Sequence, residues 1–173
     1  MDAIPHTAGI FWIATRTPGR LAILLRPASG PVLQATVEDW HSAGIETVVC
    51  LMEEGELRSL GIEREGDVCR EAGLEFIALP IVDFGVPGST AEIAPVLREI
   101  AVTLRRGSRV GIHCRQSVGR SGLLACSLLV ALGFEPIEAF HTVSKSRGVS
   151  VPETSEQRRW IEAAKPALRA LGL

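Results

Sequence analysis

The sequence predicts an α/β fold: a central, mostly parallel sheet flanked by helices. Two observations carry that expectation. The runs TVVCLM (residues 47–52) and VGIH (110–113) are apolar with little alternation, the pattern of strands covered on both faces. Segments of helical pattern ending at Gly or Pro separate such runs, as crossovers between parallel strands require. At 173 residues the chain is long enough for a full core, and residues 1–173 are read as one domain.

Taken in order, residues 10–15 (IFWIAT) and 21–25 (LAILL) read as strands divided by the turn RTPGR. Thr36 and Asp39 have capping-box spacing for a short helix stopped by Gly44. Strand 47–52 follows, then a helix over 63–73 ending at Gly73, then strand 74–81. The loop VDFGVPGST (82–90) precedes a helix running to Arg106, with Ser89 and Glu92 at capping spacing and Ile93, Leu97, Ile100 and Leu104 on one face. Pro95 either kinks this helix or marks its first turn. GLLACSLLVALG (122–133) is apolar nearly all round, so a buried helix is expected. A helix from Pro136 carries Ile137, Phe140 and Val143 and stops at Gly148. The last helix presents Trp160, Ile161, Ala164 and Leu168, with Thr154 and Gln157 spaced as its capping box.

Composition narrows the function. The 46% apolar content excludes a disordered chain, and a net charge of −2 gives no electrostatic reason to bind nucleic acid or a membrane surface. The opening MDAIPHTAG has no basic-then-apolar signal pattern, and the most apolar stretch is shorter than the roughly 20 residues a bilayer span needs. Cys50, Cys69, Cys114 and Cys126 show no metal-type pairing, so neither metal nor cofactor is expected, and reduced thiols fit a cytoplasmic protein. A monomer is expected.

VGIHCRQSVGRSG (110–122) is the stretch on which function turns. A buried strand feeds a helix through a short loop, so backbone N–H groups and the positive end of the helix dipole converge on one concavity. Gly119 and Gly122 let the backbone approach an anion closely. Arg120 adds a planar, two-pronged donor, and Cys114 lies on the floor of the cradle, where the field favours its thiolate.

His113, Cys114, the five-residue gap, Arg120, Ser121 and Gly122 resemble the signature of cysteine-dependent tyrosine and dual-specificity protein phosphatases. VVCLMEEGEL, PIVDFGVP and the Thr154–Gln157 segment extend the likeness to the kinase-associated group, over about Leu21 to Trp160. Ser117 departs from the Gly or Ala of most relatives. The resemblance implies a protein-tyrosine-phosphatase-like fold and hydrolysis of phosphotyrosine, with phosphoserine and phosphothreonine as further candidates, on a protein or peptide. It makes Cys114 the nucleophile, residues Arg115, Gln116, Ser117, Val118, Gly119 and Arg120 the phosphate cradle, and Asp83 the general acid. Asp83 also suits a turn, as Asp-x-Gly sequences do.

By the same resemblance Gln157 orients the hydrolytic water, although helix capping explains it equally. His113 orients the nucleophile; Ser121 donates to the Cys114 sulfur or satisfies the helix start. Cys50, like a second cysteine in some relatives, is a candidate disulfide partner for Cys114, or else a small buried apolar group. Two rivals stand beside this reading: a rhodanese-like sulfurtransferase, which needs neither Asp83 nor the Arg120–Ser121 pair, and a phosphate-reading module without catalysis.

Overall fold

In the computed structural model, which describes residues 9–173, five strands form one sheet in the order β1-β2-β5-β3-β4. The reading of the extreme N-terminus lies outside those residues. The strands are β1 (Ile10–Ile13), β2 (Arg20–Leu24), β3 (Thr47–Cys50), β4 (Glu75–Ala78) and β5 (Arg109–His113). β1 pairs antiparallel with β2 across the RTPGR turn; every other pairing is parallel. The expected mostly parallel sheet is therefore present, with β5 at its centre and wholly buried beyond Arg109.

Alternation along the strands builds two cores. Leu21, Ile23, Val49, Val110 and Ile112 face α4 (Thr90–Arg105), α5 (Gly119–Ala131), α6 (Pro136–Arg147) and α7 (Ser155–Arg169). Ala22, Leu24 and Val48 face the other way, onto α1 (Pro31–Ser42) and α3 (Glu65–Glu71). A one-residue slip of β5 would exchange those faces, so its register is strongly specified. Gly111 belongs to this second face: a methyl group there would lie 2.4 Å from Leu24 Cδ1.

Several helix ends differ from expectation. α1 begins at Pro31, so Thr36 lies inside it, where its Oγ1 donates to the Val32 carbonyl at 2.7 Å rather than capping. Pro supplies the preset φ of a first turn, a stronger start than the Thr36–Asp39 spacing. α4 starts after Ser89, but Glu92 accepts from the Gly88 N–H, one residue outside the expected box, and Pro95 lies within the helix. Ile137 on α6 faces solvent; Ala139, Phe140 and Val143 carry its packing. α2 (Glu54–Leu60) is additional, capped by reciprocal bonds of Glu53 and Glu56 and ended by Gly61 in the left-handed region. Its lack of any buried residue explains why no apolar periodicity announces it.

α5 is buried along its whole length, as its composition predicts. It packs beside α7, and an added Cβ at Gly122 would lie 2.2 Å from Val151 Cγ1 and 3.4 Å from Pro152 Cα, in the segment leading into α7. Gly122 therefore serves the packing of that segment on α5. Gly122→Ala should push the start of α7 outward and lower unfolding stability by about 1–3 kcal/mol. A urea midpoint unchanged from the parent protein would contradict that packing.

Candidate active site

The loop of residues 114–118 leaves the carboxyl end of the central strand and enters α5, the position where open α/β sheets place ligands. Cys114 is 2% exposed, and its Sγ lies 3.6 Å from Ser121 Oγ. Ser121 sits in the first turn of the buried helix, so the hydroxyl comes to the sulfur because α5 packs behind the loop.

Arg120, one residue earlier, is 1% exposed and tightly engaged. Its Nη1 donates to Glu56 Oε2 at 2.6 Å and its Nη2 to Glu56 Oε1 at 2.8 Å. Nη1 also reaches the carbonyls of Ile81 (3.0 Å) and Leu51 (3.4 Å). Burial pulls the guanidinium towards neutrality, but the Glu56 hydrogen bonds and the Cys114 charge outweigh it and hold Arg120 above its ordinary value. Reciprocally, the hydrogen bonds from Arg120 hold the Glu56 carboxyl below the usual carboxylate range, against an opposing effect of burial. The remaining nitrogen, Nε, is buried and finds no acceptor among the described residues.

The loop is held open from outside. Ser117 adopts φ 56°, and its hydroxyl donates to the Leu24 carbonyl of β2 at 2.5 Å, away from the cradle. Arg147, at the end of α6, donates through Nε to the Ser117 carbonyl (2.9 Å) and through Nη2 to that of Gln116 (3.4 Å). With these carbonyls turned outward, the N–H groups of Arg115, Gln116, Ser117 and Val118 meet no protein acceptor among the described residues. Arg115 and Gln116 are exposed and Val118 is half-buried, so backbone rather than side chain makes the inner surface. That concavity suits an oxyanion.

Asp83 sits in the turn read from the sequence and also reaches Arg120. Its Oδ1 accepts from the Phe84 N–H at 3.1 Å, within a turn where Gly85 N–H donates to Val82, and the same atom lies 3.0 Å from Arg120 Nη2. Gln157 likewise does two things. Its Oε1 and N–H complete the capping box with Thr154, while its Nε2 donates to the Gly85 carbonyl at 3.2 Å. A Cβ on Gly119 would lie 3.2 Å from that same nitrogen, so the carboxamide bridges the Asp83 loop and the cradle.

His113 and Cys50 are neighbours in register and turn to the face opposite Cys114. Cys50 packs with Met52 and Ile62, whereas Cys114 belongs to the core under α5. Cys50 and Cys114 are both free thiols. Cys50 joins fully buried His113 and Glu65. The sequence led us to expect no cluster of metal-type donors, and here the fold assembles one. However, His113 Nε2 and Glu65 Oε1 are only 2.6 Å apart, the length of a direct ion pair. Two ligands of a tetrahedral zinc would stand about 3.4 Å apart.

Glu56, Arg147 and Glu65 are the residues sequence reasoning missed. Glu56 carried a signal, because Glu53 and Glu56 have box spacing before Gly61. Arg147 and Glu65 looked like ordinary helix charges, and only folding brings them to the loop and to His113.

A family model described as Swiss Army Knife protein, DSP-PTPase phosphatase domain, matches residues 11–166. The chain is 30% identical over 142 residues to cyclin-dependent kinase inhibitor 3 of Rattus norvegicus, covering 80% of this chain and 66% of that protein. It thus spans just under two thirds of that relative. It is 31% identical over 124 residues to protein tyrosine phosphatase domain-containing protein 1 of Mus musculus, covering 66% of this chain and 16% of that one. Among solved structures, kinase associated phosphatase with its catalytic-site cysteine replaced by serine superimposes with TM-score 0.85 at 24% identity, over 93% of this chain and 96% of that one. Tk-PTP in its active form gives 0.73 at 29% identity, over 91% and 97%.

The Arg120–Glu56 pair has a measurable acid signature. Because the folded Glu56 carboxyl is depressed, its contribution is present above the unfolded value near 4.3 and is lost as pH falls through the folded value. Glu56→Gln should cost about 3 kcal/mol at pH 7, the scale of a broken buried pair, and the gap from the parent should close below about pH 4. Urea midpoints that run parallel for the two proteins into acid would sink this assignment.

Proposed function

Because the chain belongs to the DSP-PTPase phosphatase family, we propose that it hydrolyses phosphomonoesters through a phosphocysteine intermediate on Cys114. The observation that carries this reading is the buried, unpartnered Nε of Arg120 on the same strand–loop–helix as Cys114 and a run of unpaired loop N–H groups. Leaving a buried donor unpaired costs about 1–3 kcal/mol, so the arrangement favours arrival of an oxyanion.

In the first step the Cys114 thiolate attacks phosphorus, forming the S–P bond as the P–O bond to the leaving group breaks. Arg120 and the N–H groups of residues 115–119 hold the equatorial oxygens, whose charge is greatest in the transition state. Asp83 gives its proton to the departing oxygen. The phosphoryl group takes over the guanidinium edge on which Asp83 rests at 3.0 Å, freeing the carboxyl for that role. In the second step water attacks phosphorus, Asp83 accepts the water proton, and the S–P bond breaks. Ser121 donates to the departing sulfur, and Gln157, held between the Gly85 carbonyl and Gly119, orients the water. His113 orients Cys114 from behind. No cofactor or metal enters these steps.

The substrate we propose is a phosphorylated protein or peptide, phosphotyrosine first and phosphoserine or phosphothreonine second. The similarity to a protein named for protein tyrosine phosphatase domains and to a kinase associated phosphatase supports this. We place the chain in a reducing compartment, the cytoplasm, because a nucleophilic cysteine stays usable there, and propose that it acts as a monomer and as one catalytic domain. No helix is long and apolar enough to cross a membrane among the described residues. The contact of Asp83 with Arg120 weighs against a sulfurtransferase, which has no leaving oxygen to protonate.

Cys114→Ser should abolish turnover of an aryl phosphate. Asp83→Asn should lower kcat by about 10²–10⁴-fold for a poor leaving group, and chelator should leave the parent rate unchanged. Retained turnover in the serine variant would refute the phosphocysteine route.

A further inference from the structure

Behind the catalytic strand lies a second buried ion pair that the reaction above does not use. Glu65 opens α3 and is 1% exposed; His113 ends β5 and is 0% exposed. Their charged atoms are 2.6 Å apart. Apart from each other and the Cys50 sulfur, neither side chain meets a polar partner among the described residues. Trp40 of α1 closes the pocket, with its ring centroid 5.8 Å from that of His113. A carboxylate this deeply buried is costly unless it has a partner to hold, and here its partner is bonded in sequence to Cys114.

We propose that Glu65 is a positioning residue for phosphoryl transfer: from the far face of the sheet its carboxylate clamps the His113 ring and so fixes a cation behind Cys114. The inference rests on Cys114 being the nucleophile. The titratable groups around the clamp are Glu65 and Cys69 from α3 and Cys50 from β3; α1 contributes only the uncharged Trp40 ring. Burial opposes a charge on His113, but the Glu65 carboxylate and the Cys50 contact outweigh it and hold the ring well above the ordinary histidine value. Burial, then the Glu65 charge, push the Cys69 thiol up to about 12, so it stays neutral. Since the folded value of His113 is raised, the clamp contributes fully below the unfolded value near 6.5 and is lost as pH rises through the folded one. With Glu65 neutralised, the largest opposition to burial is lost, and the ring loses its proton more readily.

The test reads the sulfur directly, without turnover. In the parent protein, nitrogen-detected NMR should find His113 doubly protonated at pH 7.5; a neutral ring there overturns the proposal without any variant. Iodoacetate should alkylate Cys114 about tenfold more slowly at pH 6 in Glu65→Gln, with the gap closing as pH rises. A purely structural role would reduce the folded fraction without moving the pH dependence, so an unshifted alkylation profile also overturns it. If Glu65→Gln does not fold, His113→Asn carries the same comparison. Stoichiometric zinc in the purified protein would replace the ion pair by a metal site and overturn the clamp. Loss of aryl phosphate turnover in Cys114→Ser, by contrast, bears only on the nucleophile.

Discussion

A guanidinium that is 1% exposed constrains the rest of this molecule. Removing such a charge from water costs several kcal/mol, and the cost is offset only if geometry and hydrogen bonding are both good. Glu56 supplies a two-pronged carboxylate and the ends of β3 and β4 supply carbonyls, so three separate stretches of chain converge on Arg120. With Nη1 and one edge of Nη2 bonded to that scaffold, the orientation of the guanidinium is set. The short helix α2 exists largely to deliver Glu56, which explains why it buries none of its own residues.

The central strand is braced on both faces by charge pairs of opposite construction. On the α5 face stand Arg120 and Glu56. On the α3 face, Glu65 and His113 are sealed behind tryptophan, with no edge left to present. Between them runs one strand, and the residue that leaves it is Cys114. The loop itself is held by its carbonyls: Arg147 and the Ser117 hydroxyl take the outward-facing groups, which leaves the N–H groups inward. Ser117 keeps a left-handed backbone without being glycine, and the bond to Leu24 offsets strain of order 1–3 kcal/mol.

Much of this was legible in the residues. Strands covered on both faces read as unbroken apolar runs, and β3 and the fully buried α5 were recognisable for that reason. The strand–loop–helix around Cys114, Arg120 and Ser121 was legible from their spacing, because those groups are local and their geometry follows from the turn. Short elements without an apolar stripe were not legible: α2 and the start of α1 are set by capping and by Pro31 rather than by periodicity.

Local sequence alone determined which sulfur lies at the start of the loop and which helix follows it, since a strand, a five-residue loop and a helix start leave few geometries. Which acids and bases stand around that loop was decided by the tertiary structure. Glu56, Glu65 and Arg147 come from 64, 48 and 30 positions away from the residues they serve, Arg120, His113 and Ser117. Strand register also set Cys50 beside His113. A carboxylate on a polar helix carries the same sequence pattern whether it faces water or a buried cation; only packing, which removes the water, makes it a partner.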